Sequence, residues 1–196
     1  MIYDISSGLA NIKSTQSRIS SLLRISYDEI LSSESDGHLT IWNINTGQKI
    51  KEFNERNQVF PHYQLAQFPN GIIAHAFDGG VKFWNLTDTN KPIKIKQLDN
   101  VISTVVVLSD TNFATSDNKG TIKLWDYGSD ESYYFMQSSN PINALICLPN
   151  YVFISGLSNG AVVMFNRILT SNEIISTPEI LYTPFYSTSN IIQNFI

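Results

Sequence analysis

Three histidines, His38, His62 and His75, and a single cysteine, Cys147, are the side chains of this 196-residue chain best equipped for chemistry. A histidine acts as a general base or a metal ligand and a cysteine as a nucleophile, but each needs an orienting carboxylate, a base or further ligands at short spacing. The sequence offers no Cys/His ligand spacing, no Gly-rich phosphate loop and no nucleophile elbow. His38 and His75 read as a solvated or locally bonded turn residue and strand residue. Cys147, within Ala144-Leu145-Ile146-Cys147-Leu148, reads as a buried, inert thiol with no disulfide partner. The expectation is a protein that is not an enzyme, with no catalytic residue, no metal and no cofactor. Its function then rests on the elements that present side chains to a partner.

Those elements repeat. A glycine stands five residues ahead of an aromatic followed by Asn or Asp four times: Gly37 to Trp42-Asn43, Gly79 to Trp84-Asn85, Gly120 to Trp125-Asp126 and Gly160 to Phe165-Asn166. The aromatics are 42, 41 and 40 residues apart, an interval that marks a repeat architecture. Before each aromatic, apolar residues alternate with Thr40, Lys82, Lys123 or Val163, the period of a strand with one better-buried face. A small-residue run precedes each turn (Ile30 to Ser33, Ile73 to Ala76, Phe113 to Ser116, Phe153 to Gly156). Another apolar segment comes before that (Ile19 to Ile25, Tyr63 to Phe68, Ile102 to Leu108, Ile142 to Leu148). A further segment follows the aromatic at Gln48 to Phe53, Pro92 to Leu98 and Ser132 to Met136. Four short strands, a to d, joined by Gly-containing turns predict one antiparallel sheet per unit.

These residues resemble the WD40 family of β-propellers, built from four-stranded blades with a period of about 40 to 45 residues. Ser35-Asp36-Gly37-His38-Leu39-Thr40-Ile41-Trp42-Asn43 and Asn118-Lys119-Gly120-Thr121-Ile122-Lys123-Leu124-Trp125-Asp126 look like its b–c turn and c strand, and the resemblance covers roughly residues 17 to 178. The family's Gly-His pair near the start of each blade is absent, and the turn aspartate persists only as Asp36 and Asp78, with Lys119 and Asn159 in the later units. The resemblance therefore implies that the buried His–Ser–Asp–Trp network is incomplete in every blade, and that Asp36 and Asp78 alone brace their turns. The expected fold is all-β, a WD40-like propeller array of four complete blades, about 17–53, 54–98, 99–137 and 138–178, with a partial blade at 1–16 and an incomplete one at 179–196. In the partial blade, Ile2-Tyr3-Asp4 reads as the tail of a c strand and Leu9 to Lys13 as its d strand.

Family propellers usually have more blades than this, so two architectures follow. Either these residues are part of a longer propeller, completed by further blades of the same or another chain, or the two end segments share a fifth blade. The first is preferred, because the remnant c strand is only about four residues long, below the usual strand length.

A net charge of −4 and a pI of about 5.3 argue against a nucleic-acid surface, which needs a basic face. Lys91, Lys94 and Lys96 form the one basic group and read as a solvated strand edge that discourages edge pairing. No signal peptide and no apolar run near the length of a membrane span is found, so a cytoplasmic setting is expected, without excluding the nucleus.

The resemblance implies a non-catalytic scaffold that binds a protein or peptide. Propeller enzymes gather carboxylates, Asn or His on their innermost strands, whereas here those strands offer only His62 and Asn143. The family's usual contact positions are the loop into strand a and the residue before the turn aspartate. Carried over residue by residue, they are Arg18 and Ser20, Phe60 and His62, Val101 and Ser103, Pro141 and Asn143, then Ser35, Phe77, Asn118 and Ser158. Phe60, His62 and Phe77 fall in one blade and suggest an apolar anchor. The alternative is a structural subunit that acts only when further blades complete it.

Overall fold

Alternating apolar residues, punctuated by turns at Gly37, Gly79, Gly120 and Gly160, fold as antiparallel strands. The computed structural model describes residues 2–4, 9–11, 17–53, 64–87, 91–129, 132–149, 152–169 and 174–182. Strands β1 (Ile2–Asp4) and β2 (Leu9–Asn11) form a two-stranded antiparallel pair. The first unit is a four-stranded sheet of β3 (Ile19–Arg24), β4 (Glu29–Glu34), β5 (Leu39–Asn43) and β6 (Lys49–Phe53). The second and third units join in one six-stranded sheet of β7 (Leu65–Gln67), β8 (Ile73–Trp84), β9 (Lys94–Val107), β10 (Asn112–Asp117), β11 (Thr121–Asp126) and β12 (Ser132–Gln137). They are continuous because Leu98-Asp99-Asn100-Val101 contains no Gly or Pro to break β9. The fourth unit is β13 (Ile142–Leu148), β14 (Val152–Leu157), β15 (Val162–Leu169) and β16 (Ile174–Tyr182).

Strand β16 departs from expectation. Glu179 to Tyr182, read from sequence as the opening of a further unit, pair with Met164, Val163 and Val162 and so close the fourth sheet. Pro178 argues against a strand, but among the described residues β16 pairs only with β15, and an edge strand tolerates a missing donor.

The core lies at the three boundaries between units. Leu31, Leu39, Ile41 and Phe53 of the first unit meet Leu65, Ile73 and Trp84 of the second. Ala74, Val81 and Phe83 meet Ile102, Val105, Phe113 and Trp125 of the third. Ala114, Ile122 and Met136 meet Ile142, Leu145, Phe153 and Phe165 of the fourth. The first two boundaries also have lysines that sequence reading placed in solvent or overlooked. Lys51 donates to the Leu86 carbonyl at 3.0 Å, Lys94 to that of Tyr127 at 2.6 Å and Lys96 to that of Ser129 at 2.7 Å. The Lys94 and Lys96 ammonium groups lie 5.3 and 4.9 Å from the Tyr127 and Trp125 ring centres, where cation–π attraction adds to the bond. Lys96 is only 5% exposed, so the solvated-edge reading fails for Lys94 and Lys96: their alternation turns both onto the next unit. Lys91 is exposed.

Indole hydrogen bonds survive in part. Trp42 Nε1 donates to Ser32 Oγ and Trp125 Nε1 to Thr115 Oγ1, both at 2.8 Å. The register equates Ser32, Thr115 and Ser155 (opposite Leu22, Val105 and Leu145) with His75 (opposite Leu65). His75 is nine residues before its aromatic rather than ten, so the second b–c turn is one residue shorter. The Trp84 indole N–H finds no hydrogen-bond partner among the described residues, and neither does the Ser155 hydroxyl, which faces a phenylalanine unit instead of an indole.

The turns also differ from expectation. Gly37, Gly79, Gly120 and Gly160 have φ between 82° and 89°, a region open chiefly to glycine. At Gly120 an added Cβ would also lie 2.5 Å from the Ser138 carbonyl oxygen. Asp36 accepts the His38 N–H at 3.3 Å and the Ser17 hydroxyl, but no hydrogen bond to the Asp78 carboxylate occurs among the described residues. In the third turn Asp117, two residues before Lys119, accepts the N–H groups of Lys119 and Thr121 at 2.9 and 2.8 Å and the Asn100 amide at 2.7 Å. In the fourth, Asn159 accepts the Ala161 N–H at 3.0 Å. A carboxylate at the end of strand b thus reaches the same donors as one within the turn. Asp117→Ala is expected to destabilise by about 2 kcal/mol, Asp36→Ala by about 1 and Asp78→Ala by near zero, since only the first two leave donors unpaired. Urea melts of the three variants check this ranking, and a cost at Asp78 matching that at Asp117 would refute it.

Candidate functional site

In each sheet the a–b turns and c–d loops gather at one end, the b–c turns and a-strand entries at the other. At the second end one backbone clasp recurs: Ser35 N–H bonds the Arg18 carbonyl at 2.8 Å, Asn118 N–H that of Val101 at 3.0 Å and Ser158 N–H that of Pro141 at 2.9 Å. The clasp brings the two sets of sequence-nominated residues side by side in the first, third and fourth units. Arg18, Asn118, Asn143 and Ser158 are exposed and Ser35 is half-buried. Phe60 and His62 lie outside the described residues. Phe77 is half-buried; its ring sits so close to Gly80 that an added Cβ there would be 3.1 Å from Cε1, and the Lys82 ammonium is 4.7 Å from its centre. The shortened second turn accounts for this, because it draws Phe77 toward the strand.

The same end holds a cluster that sequence reading did not nominate. One ligand atom each from Glu34, Asp36 and His38 lie within 4.8 Å of one another, and His38 Nδ1 is 3.6 Å from Asp36 and 3.5 Å from Glu52. Burial pushes the Glu34 carboxyl up, although Thr40 donates to it at 3.1 Å. Burial also acts to raise Asp36, but bonds from Ser17 and the His38 N–H outweigh it and leave the group low. The Lys49 ammonium, 2.8 Å away, holds Glu52 low. Each carboxylate already accepts a protein hydrogen bond, so the cluster ties the first b–c turn to β6. The signal was present as Glu34, Asp36 and His38 at every second position, but Glu52 comes from another strand.

At the opposite end a cleft of about 530 Å³ opens between the first and second units, lined by Ile25, Ile50, Lys51, Gln67, Ile72 and Leu86 among others. The repeat residue after each of the three tryptophans has its role here. Asn43 accepts the N–H groups of Asn45 and Thr46, Asn85 that of Thr87, and Asp126 those of Gly128 and Ser129. These Asx turns start the c–d loops.

No family model matches the chain. Over 96 residues, 48% of its length, it is 25% identical to MST50-interacting protein 11 of Pyricularia oryzae and 26% identical to small ribosomal subunit protein RACK1y of Oryza sativa subsp. japonica. The matched stretch spans 30% and 29% of those proteins. The crystal structure of the computationally designed Ika4 protein is similar with a TM-score of 0.61, over 80% of this chain and 95% of that one, at 24% identity. That likeness is one of fold. The fold is all-β, a β-propeller-like array of antiparallel sheets. In this propeller Trp42, Trp125 and Phe165 oppose Ile30, Phe113 and Phe153 across the b–c ladder, so they occupy equivalent third-strand places. No helix among the described residues is long and apolar enough to cross a membrane.

Proposed function

We propose that the chain is a non-catalytic, cytoplasmic scaffold that binds a protein or peptide across the b–c turn end of its sheets. The observation that supports this most is the recurring backbone clasp, which holds side chains of the first, third and fourth units in one geometry. Loops carried on a rigid sheet framework are where binding residues concentrate. Two partial relatives point the same way: one is named for interacting with MST50, the other as a small-subunit ribosomal protein. Arg18, Ser35, Phe77, Asn118, Asn143 and Ser158 form the proposed footprint, together with Phe60 and His62.

Phe77 is the proposed anchor. Partners captured on the immobilised chain are identified by mass spectrometry, and the affinity of a purified one is measured for wild type and Phe77→Ala. The variant is expected to bind about 30-fold more weakly, the equivalent of about 2 kcal/mol, with its melting temperature nearly unchanged. Unchanged affinity with a lowered melting temperature would remove Phe77 from the footprint.

A second reading, a structural subunit completed by further blades, is favoured by the fourth sheet, where Ile146 is 53% and Leu148 41% exposed.

A further inference from the structure

The second and third unit boundaries obey one rule. The leading unit turns alternate residues of its first three strands onto the next: Ala66, Ala74, Val81 and Phe83 at one boundary, Val106, Ala114 and Ile122 at another. The following unit answers with two residues of its first strand three apart, Ile102 with Val105 and Ile142 with Leu145, and these are at most 6% exposed.

The fourth unit has the same leading face. Ile146 pairs with Ile154, which pairs with Met164, and Leu148 pairs with Val152. Residues paired directly across a ladder share a face, so this row is apolar throughout. In the third unit the equivalent Val106 and Leu108 pack against the fourth. Here Ile146 and Leu148 are exposed and Val152, Ile154, Val162 and Met164 half-buried. An apolar row of this kind, continuous with three built interfaces, is a surface awaiting a cover.

The sequence contains a segment that fits it. Asn100-Val101-Ile102-Ser103-Thr104-Val105-Val106 and Asn140-Pro141-Ile142-Asn143-Ala144-Leu145-Ile146 open the third and fourth units. Asn190-Ile191-Ile192-Gln193-Asn194-Phe195-Ile196 repeats their pattern of Asn, apolar, Ile, two small or polar residues and two apolar ones. Ile192 and Phe195 hold the places of Ile142 and Leu145.

We propose that residues 190–196 dock on the outward face of the fourth sheet as the first strand of a further blade, with Ile192 and Phe195 turned onto Ile146, Leu148 and Ile154. This rests on the blade packing and is independent of the partner footprint proposed above.

Cross-linking within the full chain tests it. Sheets stacked face to face lie about 10 Å apart, beyond the reach of a disulfide, so a short bismaleimide is the suitable probe. In a Cys147→Ala background, Ile146→Cys is combined with Phe195→Cys or, as control, with Asn194→Cys, whose side chain the proposed register turns away. Leu148→Cys replaces Ile146→Cys in a second pair; both sites are exposed, so folding is retained and is verified by circular dichroism. The expected result is an intrachain adduct several-fold more abundant for Phe195→Cys than for Asn194→Cys in both pairs, located by peptide mapping. Equal yields at the two positions would overturn the register. Adducts formed only between chains would overturn the assignment to the chain's own segment and make a second copy the occupant.

Discussion

Phe83→Ala is expected to lower the unfolding free energy by about 3–5 kcal/mol, the range for truncating a fully enclosed phenylalanine. Phe83 has no exposed surface and is the meeting point of one aromatic group. Its ring centre is 4.9 Å from Tyr127 and 5.4 Å from Phe113, both edge to face, and 6.1 Å from Phe68. Such pairs contribute beyond the area they bury, and the bulk of the second and third units limits collapse into the vacated space. The effect should exceed that of one bad contact, because stability in a repeat array is carried by nearest-neighbour interfaces. Phe83 stands at the middle one. Ile95→Ala, on the adjoining strand but 47% exposed, should change stability by no more than about 0.5 kcal/mol. Urea melts followed by fluorescence and by circular dichroism compare the two variants. A loss below about 1 kcal/mol at Phe83 would mean that the units are not coupled through this cluster.

Much of this boundary was legible in the sequence, because its information is periodic. The intervals between Trp42, Trp84, Trp125 and Phe165 fix which strand each aromatic occupies, and alternation then decides which neighbours share its face. Glu179 to Tyr182 were misassigned because Pro178 masks the strand β16, and its tolerance depends on that strand's lying at an edge. Lys94 and Lys96 carry the right alternation, but nothing local tells a solvated face from one lying under Tyr127 and Trp125. Bracing of the third turn by Asp117 was missed for a similar reason: a carboxylate two residues upstream reaches the same N–H groups, so the motif letter changes while the bond persists. Least legible was the candidate site. Side chains on turns obey no period, and Phe77 owes its place to a turn one residue short, visible only from the pairing of Leu65 with His75.

That shortened turn leads to the second large effect, an acid sensitivity centred on His75. In the first and third units the position it occupies is a hydroxyl that accepts an indole N–H. Here it is an imidazole only 2% exposed. Burial disfavours the charged form and the Lys82 ammonium adds repulsion, which together lower its pKa to about 3. An unfolded histidine titrates near 6.5, so between these values the unfolded chain binds a proton that the folded one refuses. Stability is then full above about pH 6.5 and falls as the pH drops toward 3, by up to about 1.4 kcal/mol per pH unit from this residue. His75→Thr should remove that slope and also present to Trp84 the kind of hydroxyl that Thr115 presents to Trp125. At neutral pH the variant loses some packing volume, offset in part by the new indole bond; at acid pH it should overtake the wild type. Melts of both proteins in parallel at several pH values test this, and the difference between them cancels the carboxylates and the other two histidines. Curves that stay parallel from about pH 6.5 down to about pH 4 would show that His75 gains its proton without unfolding the second unit.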